Sequence, residues 1–344
     1  MRQGLSRRAL GRSISATIGT FGILRHARGD PGFKIRCSLD TAPSHLRNVS
    51  IVDYLRKVED ATGGQVTSEV FHSGQLFADL NVAKALLQGQ VDMAAPGDWT
   101  QTGIVPDADF CQLPVFYGHQ IDVTERASDG KPGELVRRQL ESKLRVKVLG
   151  PWINLGFQNW YSTRKALNTI EDVKGLKIRS PGGAGISWRI AFFGGIANTT
   201  AWPNVPQALS QGTVDGFISS DESCATAKLW EAGVRYSYQD RQYVAQYIPM
   251  ISQAFWSKLT LDVRKLMSEV WVSNISGYRA NIAASQARAR KLMQDNGVTF
   301  VDPSDDVLST SRQRLQADVA ALIRDAKLSP EIVRLSEESA NETA

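Results

Sequence analysis

The chain has 344 residues, of which 42% are hydrophobic and 22% charged, and its formal net charge is +5. These proportions are ordinary for a folded globular protein, and the length favours about two domains. No apolar run reaches the roughly 18 residues of a membrane span, so we predict no transmembrane helix.

The positive charge is concentrated at the N-terminus. Six arginines lie within the first 32 residues, where Asp30 is the only acid. Removing these seven residues from the 40 basic and 35 acidic residues leaves 34 of each. Because the body of the chain is electrically balanced, its charge gives no reason to expect a nucleic acid as partner.

Residues 1–32 have the features of an export signal. A basic start is followed by a modestly apolar segment, residues 14–24, that is too short to cross a membrane. Residues 6–10, SRRAL, are similar to the twin-arginine signal used to export folded proteins. The alternative is a basic disordered tail. We expect export, with the route and cleavage site left open.

The body opens with alternating strands and helices. Strands are predicted over residues 33–39, 65–71 and 91–95, and helices over residues 48–61 and 79–88. This order predicts an α/β fold with a largely parallel, doubly wound sheet. Residues 105–116 and 121–144 complete a first unit of normal domain size.

A predicted strand over residues 145–153 leads into a second unit. Its strands are predicted at 176–178, at 214–219 and within 234–249, and its helices at 186–193, 205–211 and 224–230. We therefore expect two lobes, one made of residues 33–153 with about 243–275, and the other of residues 154–242 with about 276–305.

One long helix is predicted to run across both lobes. Apolar residues recur at helical spacing from residue 261 to residue 296, and a helix of ~30 residues is ~45 Å long. Gly277 marks either a bend or a packing contact. A C-terminal helical region is expected over residues 306–344, an amphipathic helix is predicted over residues 304–326, and the tail after Glu337 is expected to fray.

Residues in loops after strands are candidates for a ligand site, because ligands of open α/β sheets bind beyond the carboxyl ends of the strands. The candidates are His45, Asp98, Trp99, Trp152, Asn154, Gln158, Arg179, Ser219 and Asp221. Arg179 ends a short strand, and its forked guanidinium suits a planar carboxylate. The alternative is a surface arginine that is paired with a nearby acid.

The other candidates also have alternatives. Ser219 ends a strand, where its hydroxyl either donates to a ligand oxygen or lies in a solvent turn. Trp152, with Phe157, Trp160 and Trp202, forms either an aromatic wall of the cleft or part of the core. Trp152 is the first choice for such a wall because it follows a predicted strand.

The sequence indicates no catalytic or metal site. It contains no G-x-S-x-G, H-E-x-x-H or P-loop motif. Cys37, Cys111 and Cys224 lie outside C-x-x-C settings, so zinc and thioredoxin chemistry are unsupported, and a single disulfide stays open. We predict a protein that is not an enzyme and has no cofactor; a cation beside the ligand is not indicated.

Seven short segments, taken in order, resemble the substrate-binding proteins of tripartite ATP-independent periplasmic (TRAP) transporters of the DctP type. Any one segment is weak, whereas the series covers nearly the whole body. The segments are residues 42–45 (APSH), 62–66 (TGGQV), 71–76 (FHSGQL), 87–93 (LQGQVDM), 113–116 (LPVF), 171–179 (EDVKGLKIR) and 208–216 (ALSQGTVDG).

The resemblance implies a two-lobed periplasmic binding protein-like fold of type II, with its sheets joined by hinge strands. It places the family's carboxylate-binding arginine on Arg179. Many family members have a second arginine where this chain has Gln158, and an asparagine where it has Ser219 or Ser220. These departures favour a monocarboxylic hydroxy, keto or aromatic acid over a dicarboxylate or sialic acid.

The resemblance also implies a periplasmic protein that hands its organic acid to a TRAP membrane permease, and a monomer that meets the membrane only through that permease. Two alternatives remain. One is the ligand-sensing extracytoplasmic module of a signalling system, which an attached transmembrane or kinase module would favour. The other is a hydrolase or lyase that uses cleft carboxylates.

Overall fold

The computed structural model describes residues 32–342, so all but the last residue of the predicted export segment, residues 1–32, lies outside it. Two mixed sheets, each with helices packed on it, form two lobes. The strands are β1 Phe33–Ser38, β2 Val66–Phe71, β3 Met93–Ala94, β4 Val146–Val148, β5 Ile153–Ser162, β6 Lys177–Ser180, β7 Ile196–Thr199, β8 Gly216–Ser219, β9 Tyr236–Tyr247, β10 Met250–Ser252 and β11 Thr299–Val301.

The α-helices of the described chain alternate with these strands and then follow them. They are α1 Leu46–Ala61, α2 Asp79–Leu87, α3 Ile121–Asp129, α4 Lys131–Leu144, α5 Ala184–Phe192, α6 Val205–Ser210, α7 Asp221–Thr226, α8 Gln253–Trp256, α9 Leu261–Asp295, α10 Asp305–Ala317, α11 Val319–Ala326 and α12 Pro330–Asn341.

The first lobe is built on a five-stranded sheet with the order β2-β1-β3-β10-β4. Its first three strands are parallel, as the βαβαβ pattern predicts, and β10 is antiparallel to both of its neighbours. In β1, Ile35 and Cys37 alternate with more exposed residues and are fully buried. The carboxyl ends of the parallel strands therefore share one edge of the sheet.

The second lobe is built on a six-stranded sheet with the order β11-β9-β5-β8-β6-β7. Strands β6, β7 and β8 are parallel, while β5 is antiparallel to β8 and β9. The chain enters this sheet at β5 and leaves it at the end of β9, and these two paired strands lie where the chain crosses between the lobes.

Helix α9 connects the lobes along one side. It has 35 residues, which corresponds to a length of ~52 Å. Thr260 caps its first turn by accepting the backbone N–H of Val263. Near its start it accepts a bond from Tyr54 of α1 at the carbonyl of Met267, and further along it packs against β5 and α7. The long helix was thus correctly predicted, with its bounds within one residue.

Three element predictions were wrong. The predicted strand 145–153 is two strands, because β4 ends at Val148 and β5 begins at Ile153. The predicted helix 304–326 breaks at Asp318, whose carboxylate accepts a bond from the Trp188 indole. The tail does not fray at Glu337, since Ser329 caps α12 and its backbone N–H and hydroxyl bond to Asp107.

Two open alternatives are also decided. A Cβ added at Gly277 would meet nothing within 4 Å, which argues against a packing contact there. Cys37, Cys111 and Cys224 are all buried and free, so the described chain contains no disulfide.

Candidate functional site: a cleft between the lobes

A cavity lies between the carboxyl ends of the strands of the two sheets. Its volume, taken as the space open to the centre of a water molecule, is about 30 Å³. The first sheet and its loops contribute Asp40, Asp79, Leu80, Trp99 and Thr100, and Tyr247 lies at the end of β9. The second lobe contributes Leu155, Gln158, Arg179, Pro181, Ala201, Trp202, Ser219 and Ser223.

Arg179 reaches the cavity from β6 and is only 3% exposed. Its Nε donates to the backbone carbonyl of Thr200 at 2.8 Å, and its Nη1 to that of Ile218 at 3.4 Å. No carboxylate of the described residues lies within ion-pair distance of it. Burial lowers the pKa of Arg179 to about 10, because a cation is costly where water is excluded. A carboxylate in the cavity would supply the missing charge.

Gln158 offers a second hydrogen-bond donor to the cavity. It is 3% exposed, and its Nε2 has no partner among the described residues. Gln158 belongs to β5, which contains a β-bulge near Gly156, a residue with a φ of +87°. The bulge adds a residue and shifts the alternation, so Leu155 and Gln158 both line the cavity. Buried donors without partners are costly, and a ligand oxygen would satisfy this one.

Aromatic rings form part of the cavity wall. The Trp202 ring centroid lies 5.5 Å from Cζ of Arg179, which is a cation–π distance. Trp99 packs on Tyr247 with ring centroids 5.5 Å apart. Trp99 requires the glycine at position 97, because a Cβ there would lie 2.3 Å from the ring. Both lobes therefore contribute aromatic rings to the cavity wall.

The first lobe faces Arg179 with a buried ionic cluster. Arg47 is fully buried and donates from Nη2 to Asp40 and from Nη1 to Asp79, each at 2.8 Å. Its Cζ also lies 4.2 Å from the Tyr247 ring centroid. Burial raises the pKa of Asp79 to about 8, and Asp40 adds to this while Arg47 opposes it. Both aspartates line the cavity.

His45 lies beside the cavity rather than in its wall. It caps α1, and its Nε2 is 3.0 Å from both the Ser223 hydroxyl and a Glu222 carboxylate oxygen. The Leu46 backbone N–H donates to the other Glu222 oxygen at 3.0 Å. Burial raises the pKa of Glu222, but His45 and these bonds outweigh it, so its pKa is lowered. These contacts join the starts of α1 and α7, one from each lobe.

The structure thus gathers Arg179, Gln158, Ser219 and Trp99 around one cavity, with His45 directly behind it. Their roles in binding stay predictions. Asp40, Asp79, Ser223 and Tyr247 were not singled out from the sequence. Asp40 and Asp79 each follow a predicted strand, which is the signal that could have indicated them.

Four predicted residues lie elsewhere. Trp152 packs on Phe110, because it lies in the connection between β4 and β5 rather than at the end of a strand facing the cleft. Asn154 lies on the far side of the bulge and donates to Glu125. This places both side chains outside the cavity wall.

The other two are the acids Asp98 and Asp221. Asp98 is buried behind Trp99, where burial and then Asp109 raise its pKa well above the usual range. Asp221 accepts bonds from the hydroxyl of Tyr161 and the amide of Gln239. Neither acid lines the cavity.

Within residues 32–342, no group of three or more His, Cys, Asp or Glu side chains is arranged to hold a metal ion. No helix of the described range is long and apolar enough to cross a membrane.

Comparison with known proteins gives one consistent family. Residues 40–325 match the model of the bacterial extracellular solute-binding proteins, family 7, called DctP. The chain is 27% identical over 298 residues to the C4-dicarboxylate-binding periplasmic protein DctP of Rhodobacter capsulatus, a match that covers 86% of this chain and 87% of that protein.

Solved structures share the fold. The sugar acid binding protein DctPAm from Advenella mimigardefordensis, in complex with galactonate, superposes with a TM-score of 0.85 at 18% identity, covering 90% of this chain and 98% of that chain. A TRAP periplasmic solute binding protein from Desulfovibrio salexigens, with bound orotic acid, gives a TM-score of 0.84 at 19% identity, with coverage of 90% and 99%.

Proposed function

The chain belongs to the bacterial extracellular solute-binding proteins of family 7, and from this membership we propose that it captures a small monocarboxylic acid in the cleft between its lobes. The family consists of extracytoplasmic solute-binding proteins of TRAP transporters for organic acids, which act in transport and not in catalysis. The proposed ligand carries a hydroxyl, keto or aromatic group.

The observation that carries this proposal is the buried guanidinium of Arg179, which has no ion-pair partner among the described residues and lines the cavity. A carboxylate accepts two parallel hydrogen bonds from an arginine, and such a pair is strongest where water is excluded. The unpartnered Nε2 of Gln158 lines the same cavity. A buried cation without an ion-pair partner and an unpartnered amide donor on one wall favour an anionic oxygen ligand.

The number of cations supports a monocarboxylate. Among the described residues that line the cavity, Arg179 is the one cationic side chain. Arg47 is not in the lining, and it is bound to two aspartates. Relatives in this family bind diverse acids by name, among them C4-dicarboxylates, galactonate and orotic acid. Family membership alone therefore does not indicate which acid this chain binds, and the proposal depends on the side chains of its own cavity.

The proposed route of the ligand follows from the family. We expect the basic N-terminal segment to direct export to the periplasm, where the protein acts as a monomer. Closure of the lobes over the acid would form the surface that a TRAP permease recognises.

The test begins with a thermal-shift screen over organic acids, because a ligand that binds only the folded state raises its melting temperature. Arg179→Ala should then weaken binding of each hit by about 10²-fold or more, measured by calorimetry. Arg314→Ala is the matched control, since Arg314 is paired with Glu171 on the surface. Unchanged affinity in Arg179→Ala would refute the anchor.

A further inference from the structure

Resting on the proposed function, we propose that Asp40 and Asp79 select the far end of the ligand: they require a hydrogen-bond donor there, a hydroxyl or an ammonium group, and reject a second carboxylate. The two aspartates line the same cavity as Arg179 but belong to the opposite lobe. A ligand whose carboxylate lies on Arg179 therefore directs its other end toward them.

The position of the aspartates is set by the fold. Asp40 follows β1, and Asp79 begins α2 after β2, so both lie at the carboxyl edge of the first sheet. They are 4% and 6% exposed, and Arg47 between them is fully buried. The backbone N–H of Asp79 also donates to Asp40 Oδ2 at 3.2 Å. The cluster is thus a fixed part of the wall.

The charge of this wall determines what it accepts. Arg47 directs both terminal nitrogens to the aspartates, so its charge is used within the cluster. One arginine and two aspartates give a net charge of zero or −1, depending on whether Asp79 is protonated. In either state the wall offers acceptor oxygens and no uncompensated cation. A second carboxylate there would be buried beside acceptor oxygens and without a cationic partner, which is costly.

The other cavity residues do not change this balance. Thr100 and Tyr247, on the same side, are neutral, and Leu80 is apolar. Asp40 is also near enough to raise the pKa of Arg179 against the larger lowering effect of burial. The cavity is therefore polarised, with the donors Arg179 and Gln158 at one end and acceptor oxygens at the other.

The experiment compares straight-chain acids of three to six carbons in four forms: the unsubstituted acid, the ω-hydroxy acid, the ω-amino acid and the α,ω-diacid. Calorimetry with the wild-type protein should find the ω-hydroxy or ω-amino acid bound at least about tenfold more tightly than the diacid of the same length. The hydroxyl and amino forms distinguish a neutral from a cationic donor.

Asp79→Asn provides the second arm, because it replaces one carboxyl oxygen with an amide donor while nearly preserving the shape. In this variant the ratio of the dissociation constant of the diacid to that of the ω-substituted acid should be about tenfold smaller than in the wild type. Asp92→Asn is the control, since Asp92 is paired with Arg36 and does not line the cavity. If Asp79→Asn does not fold, the wild-type series still decides.

A diacid that binds as tightly as the ω-substituted acids, or the failure of every ω-hydroxy and ω-amino acid to bind, would overturn this inference. The proposed function is judged separately. Any organic acid whose binding is lost in Arg179→Ala supports the carboxylate anchor, whichever way the comparison of far ends falls.

Discussion

At the scale of single residues, three buried arginines show how partners determine a role. Arg47 is ion-paired with two aspartates, and Arg189 donates to the side-chain and backbone oxygens of Gln112. Arg179 donates to backbone carbonyls and has no acidic partner in the described part of the chain. Arg189 also lacks an acidic partner in the described chain, but Arg179 lines the cavity and Arg189 does not. We therefore propose a ligand role for Arg179 alone.

A buried acid in the second lobe gives a prediction on pH. Asp240 Oδ2 accepts bonds from Tyr117 at 2.7 Å and Trp160 at 2.8 Å, while its Oδ1 has no partner in the described structure. Burial, opposed by these bonds, raises the pKa of Asp240 from 3.8 to about 7. Because Asp240 binds its proton more tightly in the folded chain than in the unfolded chain, the protonated group stabilises the fold. This contribution to the free energy of unfolding is complete below pH 3.8 and is lost as the pH rises through about 7.

An asparagine cannot lose a proton, so Asp240→Asn should not lose stability as the pH rises. The melting temperature of the variant, measured relative to wild type, should therefore rise steadily between pH 4 and pH 8. Asp306→Asn, at an exposed position in α10, is the control for removing an aspartate. A difference that stays constant over this range would show that Asp240 titrates normally.

At the scale of elements, strand β5 and helix α9 both connect the two lobes. The bulge in β5 sets which of its side chains line the cavity. Helix α9 packs on α1 in one lobe and on α7 in the other, so its length matches the whole molecule rather than one sheet. Its apolar spacing is regular enough to be read from the sequence.

A pair of glycines gives opposite predictions. Gly277, on the exposed side of α9, has open space around an added Cβ. Gly277→Ala should raise the free energy of unfolding by about 0.8–1 kcal/mol, because alanine costs less backbone entropy in a helix. Urea denaturation measures the change.

Gly216→Ala is the matched comparison. A Cβ at this position in β8 would lie 2.3 Å from the carbonyl oxygen of Tyr161. The strands must separate to accommodate it, so the variant should lose stability in the same urea experiment. Equal effects of the two alanines would contradict the assigned packing of both elements.

At the scale of the whole molecule, two sheets present their strand ends to one cavity, and contacts between the lobes close it. His45 and Leu46 from one lobe meet Glu222 from the other. Ligand affinity in such a protein depends on the contacts in the cleft and also on the population of the closed form. We therefore expect contacts between the lobes to contribute to binding without touching the ligand.

Glu222→Ala removes this connection between the lobes. We expect roughly tenfold weaker binding of the acids that bind wild type, since a buried hydrogen-bonded carboxylate is lost only from the closed form. X-ray scattering should show a larger radius of gyration than that of the wild type at low ligand saturation and the same radius at full saturation. Glu231→Ala, at an exposed site in the same lobe, is the control. Unchanged affinity would show that this contact does not favour closure.

Local features of the sequence were sufficient for the α/β class, the order of most elements, the long helix and the short strand that carries Arg179 near its end. They were sufficient because hydrophobic periodicity and turn residues act over a few neighbouring positions. Only the tertiary structure decided that Gln158 faces the cavity while Asn154 does not, since the bulge between them leaves no clear pattern. It also decided that Trp99 lines the cavity and Trp152 does not, and that Asp40 and Asp79 face Arg179. Such placements depend on register and on packing between distant segments, which one residue's neighbours in sequence do not specify.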